Sequence, residues 1–273
     1  MAPRRLIVNA DDFGRSASVN QAVRQAHAEG ILTTASLMVN EPGSPDAIEL
    51  ARQCPRLGVG LHLTLLDGHA TLPPERLPGL VDAQGRFDTD PVRAGWRYFF
   101  RRELRGLLQA EILAQIDRFR ATGLPLDHID SHHHLHMHPA IMPFLLAHAR
   151  ELGLTHLRLT REPFRVHWRT GAPFSLARVS HALAHTLLAL RARRGFQRLG
   201  LRHPRAVFGL LNSGRVDEAY LARLLPVLPA GDSEVYSHPS LDHSSQELRA
   251  LISPRILAQV KALDIKLIRY QDL

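Results

Sequence analysis

The sequence predicts an α/β protein, most economically a distorted (β/α) barrel of the TIM type. Three observations support this fold class. The chain has 273 residues, 45% of them hydrophobic, which is enough to bury one large core. Apolar runs of strand length alternate with helical patterns along the chain. Polar residues follow several of these runs, where the active sites of parallel α/β folds assemble. We therefore expect a single domain over residues 1–273.

Strands are expected where short apolar runs end in polar or turn residues: Leu6–Ala10, Ala35–Val39, Leu57–Leu65, His128–Ser131, Thr155–Leu159, Ala206–Phe208, Glu234–Tyr236 and Lys266–Ile268. Helices are expected where apolar residues recur at helical spacing: Ser18–Glu29, Pro45–Gln53, Glu103–Thr122, Ile141–Leu152, Ser175–Arg194, Asp217–Leu225 and Ser245–Ala262. Gly30, Gly123 and Gly153 are expected to end three of these helices, and Gly30 suits the left-handed position after a helix. A Pro/Gly-rich loop at about residues 67–90 is long enough to be a functional insertion.

Cysteine content and hydropathy exclude several classes of protein. Cys54 is the only cysteine, so no intramolecular disulfide can form. The apolar run Leu6–Val8 is too short for the apolar region of a signal peptide, and no stretch approaches the length of a membrane span. We therefore expect a cytoplasmic protein.

The net charge of +8 is distributed unevenly. Residues 158–215 contain twelve arginines, no lysine and one acid, Glu162, so this basic segment carries +11 and the rest of the chain −3. Such a segment indicates an anionic partner, or else a solvated arginine-rich face. No nucleic-acid-reading motif accompanies it, so we expect no nucleic-acid partner and consider peripheral contact with an anionic membrane at its inner face. The apolar stripe of its helix is expected to pack on the barrel: Leu176, Val179, Leu183, Leu187 and Leu190.

Candidate ligands and proton-transfer groups follow the predicted strands: Asp11, Asp12, Asn40, His62, the tract Asp130–His138, and His238. The densest part, Asp127–Pro139, holds six of the seventeen histidines. Imidazole is the commonest metal-binding side chain. Because the C-terminal ends of parallel strands meet at one mouth, these residues are expected to converge there.

Adjacent Asp11 and Asp12 point to opposite sides of a regular strand, so the pattern predicts a different role for each. One can hold a cation while the other acts as a general base. The alternative is a helix N-cap, which needs only one aspartate.

The histidine tract has two regular geometries. An extended chain places Asp130, His132, His134 and His136 on one side, whereas a helical turn brings His132 and His136 together. In either geometry His132 can join His62 and Asp12 as a set of three metal ligands, which leaves positions open for water and substrate. The remaining histidines cannot all be ligands. His62 alone would more often be a core residue, and His238 is the natural general acid or oxyanion partner.

Five motifs in this order resemble those of the YdjC-like carbohydrate deacetylases, which include the chitooligosaccharide deacetylases: Ile7–Gly14, Thr34–Asn40, Gly58–Leu63, His128–His134 and Ser237–Pro239. The resemblance implies a distorted (β/α) barrel that uses one divalent metal ion, Mg²⁺ or Zn²⁺, to remove acetyl from N-acetylated sugars. It makes Asp12, His62 and His132 the metal ligands and Asp11 the catalytic base. His238 takes the place of the family's late histidine.

A narrower similarity to the hopanoid-biosynthesis-associated branch rests on five further stretches: Leu66–Gly68, Leu72–Glu75, Val81–Phe87, Ala94–Arg101 and Ala121–His128. It implies a glycolipid substrate, an N-acetylglucosaminyl hopanoid. Trp96, Tyr98 and Phe99 either stack on a sugar or pack a helix.

The alternative function is a metal-dependent phosphoesterase. A two-metal phosphoesterase site would use more of the histidines, so one ion per chain favours deacetylation and two favour phosphate chemistry. A homodimer is compatible with the sequence, which does not specify an oligomeric state.

Overall fold

A computed structural model describes residues 3–170, 176–243 and 245–273, and in these residues seven parallel strands form one curled sheet. The strands are β1 (Arg4–Phe13), β2 (Thr34–Leu37), β3 (Gly58–Leu63), β4 (Ile129–Ser131), β5 (Ala206–Phe208), β6 (Gly231–Ser237) and β7 (Ile265–Leu267). Their order is β4-β3-β2-β1-β6-β5, and β7 pairs with β1.

Strand β1 is the centre of this sheet. On one side it pairs with β6, from Arg4 opposite Gly231 to Ala10 opposite Ser237. On its other side β7 pairs with its first residues and β2 with its last. Every residue of β1 from Leu6 onward is buried. This burial on both faces explains why the strand begins as a continuous apolar run rather than an alternating one.

The sheet closes irregularly between β4 and β5. A full strand was expected at Thr155–Leu159, but this segment makes only isolated bridges, one of them between Leu157 and Ile129. The Arg158 N–H donates to the Ile129 carbonyl oxygen (2.9 Å), and the Val207 N–H donates to the Arg161 carbonyl oxygen (2.9 Å). The segment therefore passes between the two edge strands. The resulting curled sheet confirms the predicted distorted α/β barrel.

Ten α-helices occur in the described residues: α1 (Ala17–Glu29), α2 (Ser44–Gln53), α3 (Pro91–Phe100), α4 (Leu104–Ala121), α5 (Met142–Ala147), α6 (Phe164–Arg169), α7 (Leu176–Leu199), α8 (Glu218–Leu224), α9 (Ser245–Leu251) and α10 (Pro254–Ala262). Helices α3 and α6 were not predicted, and α5 is shorter than expected. The helix expected over Ser245–Ala262 is two helices, because Pro254 begins α10 and Ser253 caps it by accepting from the Ile256 N–H. The expected start of α7, Ser175, lies outside the described residues.

The side of α7 that faces the barrel differs from the prediction. Leu183, Leu187 and Leu190 were expected to pack on the barrel but are 50%, 60% and 51% exposed. Ala189 and Phe196 are buried in the main core instead. The helix therefore packs on the core through residues such as these, and the three leucines lie on its solvent side. No helix in the described part of the chain combines the length and apolar character needed to cross a bilayer.

The loop at residues 67–90 folds back on itself. The Asp67 N–H donates to the Asp88 carbonyl oxygen (2.9 Å), and a short 3-10 helix lies at Pro74–Arg76. The Glu41 carboxylate accepts from the His69 N–H (2.8 Å), which ties the loop to the chain just after β2. The loop is thereby held at the C-terminal end of the sheet.

Candidate active site

Asp11 and Asp12 lie in a β-bulge at the end of β1. The register with β2 shifts between Ala10 and Phe13, and Asp12 has a left-handed backbone with φ 66°. Aspartate tolerates this conformation better than most residues, and bulges are common beside active sites. Both carboxylates line one cleft, yet they contact different partners. The bulge, rather than the alternation of a regular strand, separates them.

Asp11 is held by a buried arginine, Arg158. Asp11 Oδ2 accepts from Arg158 Nη1 (2.9 Å), and Oδ1 accepts from Arg158 Nη2 (2.8 Å) and from Asn9 Nδ2 (2.7 Å). Arg158 Nη1 also lies 2.6 Å from Asp130 Oδ2, and Nη2 lies 2.6 Å from Glu234 Oε1. Although burial opposes the charge, these carboxylates keep the pKa of Arg158 well above its ordinary value.

Sequence reasoning missed the role of Arg158. It was counted in the basic segment, which was interpreted as a surface, but its side chain is fully buried. A signal was present, because Arg158 stands between Leu157 and Leu159 in an apolar run. A charged residue in such a run is buried only when it is paired.

Asp12, His62 and His132 converge on one point of the cleft. Asp12 Oδ1 lies 3.3 Å from His62 Nε2 and 2.8 Å from His132 Nδ1, and all three side chains are buried. Neither Asp12 Oδ1 nor His62 Nε2 has a partner with hydrogen-bond geometry among the described residues. Buried polar atoms are rarely left unsatisfied, and a carboxylate with two imidazoles suits a divalent cation. These residues therefore fit a metal ion.

Asp130 orients His62. The Nδ1 of His62 donates to Asp130 Oδ1 (2.8 Å), so its Nε2 faces Asp12, and Asp130 Oδ2 accepts from Ser36 Oγ (2.9 Å). A carboxylate behind a histidine fixes its ring in this way at many metal sites. Although burial disfavours the imidazolium, the Asp130 charge raises the pKa of His62 to about 10.

The loop at residues 67–90 covers the other side of His132. Arg15 Nη1 lies 3.1 Å from His132 Nε2, and Arg15 Nη2 donates to Asp67 Oδ2 (2.8 Å). Asp67 Oδ2 is itself 3.7 Å from His132 Nε2. The predicted insertion thus contributes a carboxylate next to the proposed ligands.

The rest of the histidine tract has neither predicted geometry. His132–Met137 is a 3-10 helix interrupted by left-handed backbone at His133 and His134, with φ 52° and 56°. Of the tract, His132 reaches the cluster formed by Asp12 and His62, and the exposed His133 lies next to it.

The later histidines of the tract pack in the interior or on α3. His136 places Nδ1 2.8 Å from Ser131 Oγ and Nε2 2.9 Å from the Arg158 carbonyl oxygen. Burial lowers the pKa of His136 to about 4 and that of His134 well below its ordinary value, so both rings are neutral. His138 Nε2 lies 3.2 Å from the Gly95 carbonyl oxygen in α3.

His238 follows β6 and faces the same cleft as the two aspartates. Its backbone N–H donates to Glu247 Oε2 (2.6 Å), and its ring Nδ1 lies 4.0 Å from that oxygen. The cleft has a volume of about 740 Å³. Most of the residues that line it are polar or charged, and they include Asp11, Asp12, Arg15, Glu41, Asp67, His69, Arg86, His238 and Asp242.

The three aromatic residues of α3 divide between two environments. Tyr98 is buried and donates its hydroxyl hydrogen to the Leu65 carbonyl oxygen (2.7 Å), which is helix packing. Trp96 and Phe99 are 62% and 48% exposed and line a separate groove on α3 with His138 rather than the cleft.

The sequence profile of the YdjC-like protein family matches residues 5–262. This chain belongs to the YdjC-like family. A carbohydrate deacetylase from Brevibacillus brevis is 44% identical over 167 residues, which are 61% of each chain. The match thus spans about three fifths of that relative's length. A carbohydrate deacetylase from Vibrio vulnificus is 36% identical over 193 residues, 68% of this chain and 73% of its own.

The crystal structure of a protein from Enterococcus faecalis, provisionally described as a cellobiose-phosphate cleavage protein, has the same fold. Its TM-score is 0.75 at 25% identity, and the alignment covers 99% of both chains. The distorted barrel is therefore shared by a solved structure over nearly its whole length.

Replacing Arg158 by methionine is expected to lower the free energy of unfolding by about 3–5 kcal/mol, because three buried carboxylates lose their shared cation. Denaturant unfolding measures the change. Arg165→Met is the matched control, since Arg165 is exposed in the same basic segment and should unfold like the wild type. If Arg158→Met lowered the free energy of unfolding no more than the control does, Arg158 would not stabilise the three buried carboxylates.

Proposed function

We propose that this chain is a metal-dependent deacetylase that removes acetyl from an N-acetylated amino sugar. The observation that carries the proposal is the convergence of Asp12, His62 and His132, with two unsatisfied ligand atoms, beside Asp11 in one cleft. The names of the family's relatives support the sugar and the acetyl group.

In this proposal Asp12 Oδ1, His62 Nε2 and His132 Nδ1 hold one divalent ion, Mg²⁺ or Zn²⁺. When bound, such an ion polarises the acetyl carbonyl and lowers the pKa of water. Three protein ligands leave coordination positions open toward the cleft, where the substrate enters.

Asp11 is the proposed general base, and its hydrogen bonds identify the atom that takes the proton. Oδ1 accepts two hydrogen bonds, from Arg158 and Asn9, whereas Oδ2 accepts one, from Arg158. A carboxylate oxygen has two lone pairs, so Oδ2 keeps one available for a water proton. Arg158 holds this carboxylate in position throughout, which reduces the reorganisation needed during the reaction.

His238 is the proposed general acid. Water adds to the acetyl carbon, the C–N bond breaks, and the departing amine nitrogen takes a proton as acetate is released. His238 lies in the cleft with Asp11, and the buried Glu247 carboxylate holds its backbone and lies near its ring.

The ligand sets in the described residues favour one metal ion over the two that a phosphoesterase would use. Two further sets of potential ligands occur, Asp67 with His132 and His133, and Asp11 with His62 and Asp130. The first shares His132 with the proposed site and the second shares His62. In the second, both carboxylates are also paired with Arg158. The phosphoesterase alternative therefore lacks a second independent site in this part of the chain.

The direct test is acetate release from N-acetylated sugars with and without a chelator. We expect release that stops with the chelator and returns when Mg²⁺ or Zn²⁺ is restored. Comparing the rates of acetate release from chitooligosaccharides and from an N-acetylglucosaminyl lipid shows whether the substrate is a free sugar or a lipid-linked one, such as the proposed hopanoid. Turnover that is unaffected by exhaustive metal removal would contradict the metal-dependent proposal.

Asp11→Asn is expected to bind metal as the wild type does and to lower kcat by a factor of at least about 10². Asp12→Asn should lose metal and activity together, and asparagine keeps the left-handed backbone of this position accessible. Metal content after gel filtration, measured beside acetate release, checks both. If Asp11→Asn emptied the site while Asp12→Asn kept it filled, the two roles would have to be exchanged.

We also propose that the basic segment contacts an anionic membrane through α7. Leu183, Leu187 and Leu190 are exposed on this helix, and Arg191 and Arg194 are exposed next to them. Leucines beside arginines are typical of helices that lie in a membrane interface. A second copy of the chain would place two arginine-rich faces against each other, so charge favours an anionic bilayer over a homodimer through this face.

Charge reversal at Arg191 and Arg194 is expected to weaken binding to phosphatidylglycerol-containing vesicles by at least about thirtyfold, because each basic residue near an anionic surface is worth roughly 1 kcal/mol. Sedimentation with vesicles at low and high salt measures the fraction of protein that is bound. Arg120→Glu on α4 is the control. Equal binding of the double variant and the wild type at low salt would leave these arginines as a solvated face.

A further inference from the structure

A second concave site lies at the other end of the barrel from the cleft. It is a cavity of about 590 Å³ between α7, β6 and the chain before β5. Asp232, which lines it, stands opposite Arg5 near the start of β1, whereas Asp11 and Asp12 stand near the end of that strand. The cavity is therefore separated from the proposed active site by most of the length of β1.

Three arginines from three segments converge on this cavity. Arg161 comes from the segment that crosses between β4 and β5, Arg193 from α7, and Arg205 from the residue before β5. Of the carboxylates in the described part of the chain, none pairs with these three guanidinium groups. The acid that lines the cavity, Asp232, is paired with Arg5 at 2.5 Å. The cavity thus holds positive charge that the surrounding chain does not neutralise.

The backbone helps to place two of these groups. Gly231 has φ +89°, and a Cβ there would lie 3.5 Å from Arg205 Cδ and Nε, so the Arg205 side chain lies against a residue without one. The Arg205 N–H also donates to the Asp232 carbonyl oxygen (2.9 Å). On α7, Arg193 and Gln197 are four residues apart and face the cavity together.

His203 contributes an imidazole to the same wall. Its Nδ1–H donates to the Pro204 carbonyl oxygen (2.9 Å), so the neutral ring presents Nε2 as an acceptor. Burial, together with the charge of Arg193, lowers the pKa of His203. The positive field of Arg193 therefore acts within the cavity.

We propose that this cavity binds a phosphate ester. Guanidinium groups match the geometry of phosphate oxygens. Three guanidinium groups around one cavity suit a ligand with two negative charges, such as a phosphate ester, better than a ligand with a single carboxylate. A volume of about 590 Å³ exceeds that of a phosphate group, so the organic part of the ester is also accommodated. Leu190 lines the cavity and continues into the exposed leucines of α7, so a soluble phosphorylated metabolite and a phospholipid headgroup share the required chemistry.

The test compares two probes on matched variants of the full chain. The soluble probe is sn-glycerol 3-phosphate, measured by calorimetry, and the membrane probe is phosphatidylcholine vesicles with and without phosphatidylglycerol. Arg193→Ala should weaken binding about tenfold, since a charge-assisted hydrogen bond is lost, and a variant with Arg161, Arg193 and Arg205 all changed to alanine should abolish it. Arg198→Ala is the control, because Arg198 is exposed on the same helix but does not line the cavity.

Loss of glycerol phosphate binding in Arg193→Ala but not in Arg198→Ala supports a soluble ester as ligand. If Arg193→Ala instead weakens binding only to the vesicles that contain phosphatidylglycerol, and the control variant does not, the ligand is a lipid headgroup. Equal losses in the two variants, or no difference between the wild type and the triple variant with either probe, would overturn the proposal. The three arginines are exposed, so their replacement is expected to leave the fold intact. An unchanged thermal unfolding temperature of the variants checks this.

Discussion

The arrangement of the barrel interior depends on one buried cation. Arg158 bonds to Asp11 at the end of β1, to Asp130 in β4 and to Glu234 in β6, so it connects the neighbouring strands β1 and β6 to the edge strand β4. Burying three carboxylates without it would cost several kcal/mol per charge. The irregular segment that carries Arg158 between β4 and β5 is therefore as important to the interior as a regular strand would be.

The contacts of Arg158 also give the adjacent Asp11 and Asp12 different partners, and therefore different proposed roles. Asp11 is occupied by Arg158 and Asn9, whereas the bulge turns Asp12 toward His62 and His132 with an unsatisfied oxygen. Asp130 belongs to both arrangements, because one oxygen contacts Arg158 and the other accepts from His62. The charge network thus fixes the orientation of a proposed metal ligand as well as that of the proposed base.

The sequence predicted the fold class and the convergence of Asp12, His62 and His132, because apolar periodicity reports burial and parallel strands bring their C-terminal ends together. It did not predict the burial of Arg158, whose carboxylate partners are distant along the chain. It also placed the α7 leucines against the barrel. Which face of a helix packs depends on its neighbours, and here Ala189 and Phe196 fit where leucines were expected. The two left-handed histidines of the tract follow from tertiary contacts that no regular period encodes.

The central claim is that Arg158 engages Asp11 and Asp130 and so leaves one cation site, formed by Asp12, His62 and His132. Anomalous diffraction from crystals of the protein grown with Zn²⁺ tests this most directly. The account predicts one strong peak per chain within bonding distance of Asp12 Oδ1, His62 Nε2 and His132 Nδ1. A peak bound by Asp11 or Asp130 instead, or two peaks of equal strength in the cleft, would contradict it.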